Sequence, residues 1–145
     1  MEKIAVKKLC ENAVIPTYGS PEAAGADLYA CLSETVTIAA GETCFIPTGI
    51  AVEVPRGCAG LVFARSSMGA KRGLAPANKV GVIDSDYRGE IFVALYNHGS
   101  EPQQITHGER IAQLLITPVF TPGFVQVQDL SNTLRGSGGF GSTGK

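Results

Sequence analysis

Residues 80–95, VGVIDSDYRGEIFVAL, consist of two apolar runs separated by a short polar loop. The first run ends at Asp84 and the second follows Glu90. Both runs are rich in β-branched residues and the loop contains Gly89, a composition that predicts two strands joined as a β-hairpin. Because a strand end holds its backbone in place, Asp84 is a candidate for a carboxylate that faces a cleft.

Short apolar runs of the same kind recur about every 8 to 12 residues and are separated by Gly, Pro, Asn and Asp, which predicts an all-β sandwich or barrel. The predicted strands are residues 3–7, 35–38, 43–47, 50–54, 59–63, 80–83, 90–97, 110–118 and 124–128. One short helix is expected at residues 66–71, with Ser66 as its cap.

The 145 residues correspond to one ordinary domain. The formal net charge is only −1, so the protein as a whole has no electrostatic attraction to nucleic acid or to an anionic membrane. The four cysteines are too widely spaced for a zinc knuckle, so we expect ordinary reduced thiols. No signal peptide, transit peptide or membrane span is predicted. We therefore expect a cytoplasmic protein, or a nuclear one if the cell has a nucleus.

The last eleven residues, RGSGGFGSTGK, are typical of a phosphate-binding segment. Their glycines leave backbone N–H groups accessible, and Arg135, Ser142 and Thr143 add a cation and hydroxyl donors. The phosphate loops that such segments resemble lie between a strand that directly precedes them and a helix that follows, whereas no helix is predicted after this segment. From these residues alone, an inert Gly/Ser tail is equally compatible with the pattern.

Five segments in order make the pattern specific: residues 24–30 (AGADLYA), 64–74 (ARSSMGAKRGL), 81–90 (GVIDSDYRGE), 108–115 (GERIAQLL) and the tail. Together they resemble the five motifs of the trimeric dUTP diphosphatase (dUTPase) family, from about residue 15 to the end. The resemblance implies a small β-barrel, jelly-roll-like fold with one short helix. It also implies a β-rich domain at 1–131 and a flexible Gly-rich C-terminal arm at 132–145.

The resemblance further implies hydrolysis of dUTP to dUMP and pyrophosphate, which clears dUTP from the DNA precursor pool and supplies dUMP for dTMP synthesis. Asp84 would position the water that attacks the α-phosphate and would accept from the sugar 3′-hydroxyl. Tyr87 would pack against the deoxyribose and exclude a 2′-hydroxyl. The residues implied for recognition of uracil are Asn78, Gly81, Val82, Ile83 and Phe92, and Phe140 would stack on the base. The residues implied for binding the phosphates are Arg65, Ser66, Ser67, Gln113, Arg135, Gly141, Ser142 and Thr143.

Ser67 stands where many members of the family have glycine. Glu109 and Arg110 are expected to form an ion pair with each other. Mg²⁺ is the expected cofactor, held mainly by the substrate phosphates, and Asp27 would reach it only through water. The expected partners are dUTP and two further copies of the chain, in a homotrimer whose C-terminal arm closes a neighbouring subunit's site, with no nucleic acid and no membrane. The alternatives are a dCTP deaminase-type enzyme and a non-catalytic nucleotide-binding homologue.

Overall fold

The structure is a computed structural model that describes residues 3–139. In this range the chain forms short strands and a single π-helical segment, Ser67–Lys71. The strands are β1 (Val6–Lys8), β2 (Thr17–Tyr18), β3 (Ala26–Tyr29), β4 (Val36–Ile38), β5 (Thr43–Pro47), β6 (Ile50–Val52), β7 (Cys58–Phe63), β8 (Leu74–Pro76), β9 (Gly81–Ile83), β10 (Phe92–Asn97), β11 (Gln103–Ile105) and β12 (Arg110–Pro118). The prediction of an all-β fold with one short helix is confirmed.

The strands form two larger sheets and two strand pairs, in which all pairings are antiparallel. The five-stranded sheet has the order β2-β3-β12-β7-β9, and the three-stranded sheet has the order β5-β10-β8. The pairs are β1 with β6 and β4 with β11. The long strand β12 lies at the centre of the larger sheet, where Gln113 is opposite both Asp27 of β3 and Phe63 of β7.

Within residues 3–139, buried side chains of both larger sheets, of the strand pairs and of the connecting segments form one hydrophobic core. Leu28, Ile46, Leu95 and Ile111 are completely buried in it. The buried Asn97 donates through Nδ2 to the carbonyl oxygens of Ile38 and Glu101, so its amide is satisfied. No helix among residues 3–139 has the length and apolar character needed to cross a membrane.

The predicted hairpin is wrong. β9 pairs with β7 in the five-stranded sheet, whereas β10 lies between β5 and β8 in the three-stranded sheet. Ile83 on β9 and Leu95 on β10 are buried in the same core but approach it from different sheets. The loop between them therefore crosses from one sheet to the other, and the two strands separate to leave a cleft.

Other local predictions need correction. The strands at 43–47 and 110–118 have the predicted bounds, but β2, β3, β8 and β11 were not predicted; they are only two to four residues long. The segment 124–128 forms no strand, because in the described chain it has no neighbour to pair with. Ser66 has helical backbone angles and makes no side-chain cap hydrogen bond, so the predicted capping role is also wrong.

Candidate active site

The cleft between β9 and β10 has a volume of about 310 Å³. It brings together many of the residues that sequence analysis singled out for the nucleoside: Asn78, Gly81, Val82, Ile83, Asp84, Tyr87 and Phe92. Phe45 of β5 also lines the cleft and was not predicted, because its contribution depends on β5 pairing with β10. The residues assigned to the base and the sugar therefore share one site.

One wall of the cleft is the edge strand β9. Its only strand neighbour is β7, so the backbone groups on its other edge have no strand partner within the described chain. Val82 is 63% exposed and Phe92 is 51% exposed, which leaves apolar surface beside those polar backbone groups. A rigid row of donors and acceptors next to apolar side chains can recognise the edge and the face of a planar base.

The loop that follows β9 positions Tyr87 beside Asp84. The Tyr87 N–H donates to the Asp84 carbonyl oxygen at 3.1 Å, and the Tyr87 hydroxyl donates to the Glu90 carbonyl oxygen at 2.9 Å. A Cβ at Gly89 would lie 2.6 Å from Cζ of Tyr87, so only glycine allows the ring to pack this closely on the loop. The Asp84 side chain is exposed at the end of β9. Gly89 thus leaves the space that the ring occupies at the mouth of the cleft, and the hydrogen bond to Glu90 holds the ring there.

Asn78 is held by a turn that the sequence did not predict. The Val80 N–H donates to the Asn78 carbonyl oxygen at 2.7 Å, which closes a γ-turn at Lys79. Lys79 has a φ of +67°, a strained value for a non-glycine residue. A Cβ at Gly81 would lie 3.5 Å from Nδ2 of Asn78, so the amide packs against this glycine. The Asn78 amide therefore lies beside Gly81, the first residue of β9.

A second group of polar residues is centred on Asp27 of β3. Arg65 Nε lies 2.7 Å from Asp27 Oδ1, and Arg110 Nη1 lies 3.3 Å from Asp27 Oδ2. Asp27 is only 8% exposed, so its charge is compensated by the two guanidinium groups. The expected ion pair between Glu109 and Arg110 is wrong: Arg110 pairs with Asp27 instead.

Arg65 also connects this group to the start of the helical segment. Its Nη1 donates to Ser67 Oγ at 3.3 Å, and its carbonyl oxygen accepts from the N–H of Met68. Ser66 and Ser67 are both exposed beside it. A guanidinium, two hydroxyl groups and backbone N–H groups at one surface position form a local arrangement suited to an anion.

Gln113 lies opposite Asp27 on the neighbouring strand, and its Nε2 donates to the Ala64 carbonyl oxygen at 2.9 Å. A Cβ at Gly25 would lie 2.6 Å from Gln113 Oε1, so the backbone of residue 25 approaches this amide closely. The amide therefore has a protein partner at the residue next to Arg65. Its predicted contact with a phosphate oxygen stays a prediction.

Glu109, which does not pair with Arg110, forms an ion pair with Arg72 at the end of the helical segment. Arg72 also donates to Gln103 Oε1 and to the Gln104 carbonyl oxygen. These contacts attach the helical segment to β11 and to the loop before β12. Sequence analysis missed Arg72, because its partners lie more than thirty residues away in the chain.

The C-terminal residues are placed only in part. Arg135 is exposed, and its Nε donates to the Gly138 carbonyl oxygen at 2.8 Å. It is not among the residues that line the cleft. Phe140, Gly141, Ser142 and Thr143, which the sequence assigns to the base and the phosphates, lie outside the described residues.

Residues 3–139 contain no group of three or more His, Cys, Asp or Glu side chains that could hold a metal ion. Asp27, the residue expected to contact Mg²⁺ through water, has both carboxylate oxygens in ion pairs with arginines. The donor set of the described residues therefore fits an ion carried by substrate oxygens and water, and does not fit a cage made of protein ligands.

Comparisons with known proteins agree on one family. The sequence profile of the dUTPase family matches residues 11–144. A deoxyuridine 5'-triphosphate nucleotidohydrolase of Desulfitobacterium hafniense is 52% identical over 143 residues, which cover 98% of this chain and 95% of that protein. The corresponding protein of Hahella chejuensis is 47% identical over 98% of this chain and 94% of its own.

Among solved structures, a point mutant of the Staphylococcus bacteriophage 80alpha dUTPase with dUpNHpp superposes with a TM-score of 0.86. It is 30% identical, and the match covers 100% of both chains. A mutant dUTPase of phage phi11 of S. aureus, described with a structural Mg(II) ion, has a TM-score of 0.78 at 28% identity over 88% of this chain and 98% of that one. The jelly-roll-like fold is thereby confirmed, and this chain belongs to the dUTPase family.

Proposed function

We propose that this protein hydrolyses dUTP to dUMP and pyrophosphate, through a water molecule that Asp84 orients toward the α-phosphate. The observation that carries the proposal is the cleft between β9 and β10, which has Asp84 and Tyr87 at its mouth and the unpaired edge of β9 as its wall. In the cell, the reaction would clear dUTP from the DNA precursor pool and supply dUMP for dTMP synthesis.

The nucleoside part of the proposal rests on the shape and polarity of the cleft. The backbone of Gly81–Ile83 would pair with the uracil edge, and the Asn78 amide supplies both a donor and an acceptor. Backbone groups in a sheet cannot rotate, so a cytosine would leave them mispaired at a cost of about 1–3 kcal/mol per group. Tyr87, held by its hydrogen bond to Glu90, would pack on the deoxyribose and leave no space for a 2′-hydroxyl.

Asp84 is suited to orient the attacking water because it is exposed at the end of a strand whose backbone is fixed. The carboxylate would accept a proton from the water as its oxygen bonds to the α-phosphorus. The bond from that phosphorus to the bridging oxygen breaks, and pyrophosphate leaves. The role rests on this position and on the family, in which the phage 80alpha relative is described with the dUTP analogue dUpNHpp.

The triphosphate would bind at Arg65, Ser66 and Ser67. Asp27 orients Arg65 through Nε, which leaves the other guanidinium nitrogens for anions, and Ser67 already lies within reach of Nη1. Gln113 would contribute its amide to the same phosphates. Because developing negative charge is stabilised best by donors already in place, the ion pair of Arg65 with Asp27 prepares the site before substrate binds.

Mg²⁺ would enter with the substrate, held by phosphate oxygens and water, with Asp27 contacting it only through water. Its chemistry there is to neutralise the negative charge of the triphosphate and of the leaving pyrophosphate. The phi11 relative is described with a structural Mg(II) ion, which supports the affinity of related proteins for this cation.

A homotrimer in which the C-terminal arm reaches a neighbouring subunit would complete the site. The segment after β12 supports this arrangement, because Phe120 and Phe124 are 99% and 100% exposed and Leu130 and Leu134 are also open to solvent. Exposed apolar side chains of this kind are typical of a surface that packs against another protein chain. In the neighbouring site, Arg135, Gly141, Ser142 and Thr143 would bind phosphates and Phe140 would stack on uracil.

The test is to incubate the purified protein with Mg²⁺ and dUTP, dCTP, UTP or dTTP, and to identify the products. We expect dUMP and pyrophosphate from dUTP alone. The Asp84→Asn variant should still bind dUpNHpp but lose at least about 1,000-fold in kcat, because the amide cannot accept the proton. Asp86→Asn, an exposed carboxylate in the same loop that does not line the cleft, is the matched control and should remain active.

Release of ammonia from dCTP would replace the proposal with a deaminase, an alternative that the comparisons do not favour. Binding of dUpNHpp without turnover of dUTP by the unaltered protein would identify a non-catalytic homologue. An Asp84→Asn variant that keeps its kcat would remove Asp84 from the role assigned to it.

A further inference from the structure

Two cysteines on a face outside the cleft are brought together by the fold. Cys10 Sγ and Cys31 Sγ lie 2.6 Å apart, although the residues are separated by 21 positions in the chain. All four cysteines of the described chain are free thiols. Unbonded sulfur atoms pack further apart than this, so the backbone already holds these two side chains in a position from which they can bond.

The backbone around both cysteines is attached to one turn. Cys31 N–H donates to the Pro47 carbonyl oxygen at 2.8 Å, and the N–H of Leu9 donates to the Gly49 carbonyl oxygen at 2.7 Å. The turn between β5 and β6 therefore holds the segment that precedes Cys10 and the segment that contains Cys31. The two thiols meet because of these hydrogen bonds and not because of nearness in sequence.

Gly49 provides the space for the pair. It has a φ of +68°, and a Cβ there would lie 2.8 Å from Cys31 Sγ and 2.8 Å from the Ala13 side chain. Any larger residue would be strained and would displace Cys31. The turn therefore needs glycine at residue 49, and its hydrogen bonds hold the backbone segments on which Cys10 and Cys31 lie.

The two thiols differ in accessibility. Cys10 is exposed and Cys31 is partly buried, and both line a surface depression of about 350 Å³ that a small thiol reagent can enter. Burial, together with the neighbouring Cys10, raises the pKa of the Cys31 thiol to about 11. Cys10 is therefore the residue that meets an oxidant first, and Cys31 is the resolving thiol.

We propose that Cys10 and Cys31 form a redox-modification site that closes reversibly to an intramolecular disulfide when it meets a small-molecule disulfide. The Cys10 thiolate attacks one sulfur of oxidised glutathione, which releases one glutathione thiol and leaves a mixed disulfide on Cys10. Cys31 loses its proton and attacks the Cys10 sulfur, which releases the second glutathione. Two protein thiols are oxidised, and one glutathione disulfide is reduced to two thiols.

The experiment treats the folded full chain with oxidised glutathione, counts free thiols before and after, and maps disulfide-linked peptides by mass spectrometry without reduction. The unaltered protein should fall from four thiols to two, with residues 10 and 31 in one linked peptide, and dithiothreitol should restore four. The Cys10→Ser variant should start at three thiols and stay at three. The Cys44→Ser variant, matched in thiol number, should fall from three to one.

Circular dichroism before treatment checks that each serine variant is folded. The proposal is overturned if the unaltered protein keeps four thiols, if the linked peptide contains Cys44 or Cys58, if the linkage joins two chains on a non-reducing gel, or if a stable glutathione adduct remains on Cys10.

Discussion

The cleft and the segment that follows β12 contribute to one proposed site in opposite ways. The cleft residues lie on or beside strands whose other faces are buried, so that Ile83 and Leu95 hold its two walls. Residues 119–134, by contrast, contain no strand, and Phe120 and Phe124 are fully exposed. The difference teaches that the proposed base and sugar site lies in a cleft that one folded chain forms, whereas the described part of the segment after β12 packs on no strand of its own chain, so the phosphate closure proposed for the tail would depend on a neighbouring subunit.

Removing residues 135–145 tests this comparison most directly, and its effect should exceed those of the two substitutions that follow. The described residues that line the cleft all precede residue 95, so the shortened protein should fold with an unchanged urea unfolding midpoint. Its kcat/KM for dUTP should fall by at least about 100-fold, because phosphate donors and the stacking Phe140 are lost. Steady-state kinetics and urea unfolding of the same preparation measure the two quantities.

An unchanged kcat/KM after this truncation would show that the tail is inert and that the cleft is sufficient. A large loss of stability would show instead that the tail belongs to the folded unit.

Asp27→Asn should have the next largest effect, because Asp27 lies in the same five-stranded sheet as β9 and its loss would weaken the folded part of the proposed site. Arg65 and Arg110 would lose the buried carboxylate that separates their charges. We expect the free energy of unfolding to fall by about 2 kcal/mol, less than for a fully buried pair because the Arg110 side chain is 50% exposed. Urea unfolding is the measurement.

The matched control is Glu53→Gln, which breaks the exposed ion pair with Arg88 and should cost no more than about 0.5 kcal/mol. Equal losses in the two variants would mean that Asp27 is an ordinary surface carboxylate and does not organise the phosphate end of the site.

Gly89→Ala should have the smallest effect of the three changes. It tests whether the position of the Tyr87 ring in the cleft determines the preference for dUTP over UTP. The added Cβ would lie 2.6 Å from Cζ of Tyr87, which is too close for two unbonded carbon atoms, so the ring would have to move. A ring moved off the sugar should admit a 2′-hydroxyl, so the ratio of kcat/KM for dUTP to that for UTP should fall about tenfold. Gly19→Ala, where nothing lies within 4 Å of the new Cβ, is the control.

If Gly89→Ala leaves the preference for dUTP unchanged, Tyr87 does not exclude the ribose and another wall of the cleft must do so.

Several features could be predicted because they depend on local patterns. The bounds of β5 and β12 follow from apolar runs that end at turn residues, and the exposed position of Asp84 follows from the point where such a run meets a polar loop. Other features could not. The γ-turn at Lys79 has no local signal, since Lys is uncommon at positive φ and only the surrounding structure keeps it there. The two-residue strand β2 is too short to leave a pattern.

The sequence by itself determined the all-β class, the order of the five motifs and the residue types that a uridine nucleotide would require. Only the tertiary structure decided that β9 and β10 separate into different sheets, and that Asp27 joins Arg65 and Arg110 across 38 and 83 positions of the chain. The physical reason is that alternation of apolar residues records which face of a strand is buried but not which strand lies beside it. Pairing is chosen by the whole core, and the cleft exists because of that choice.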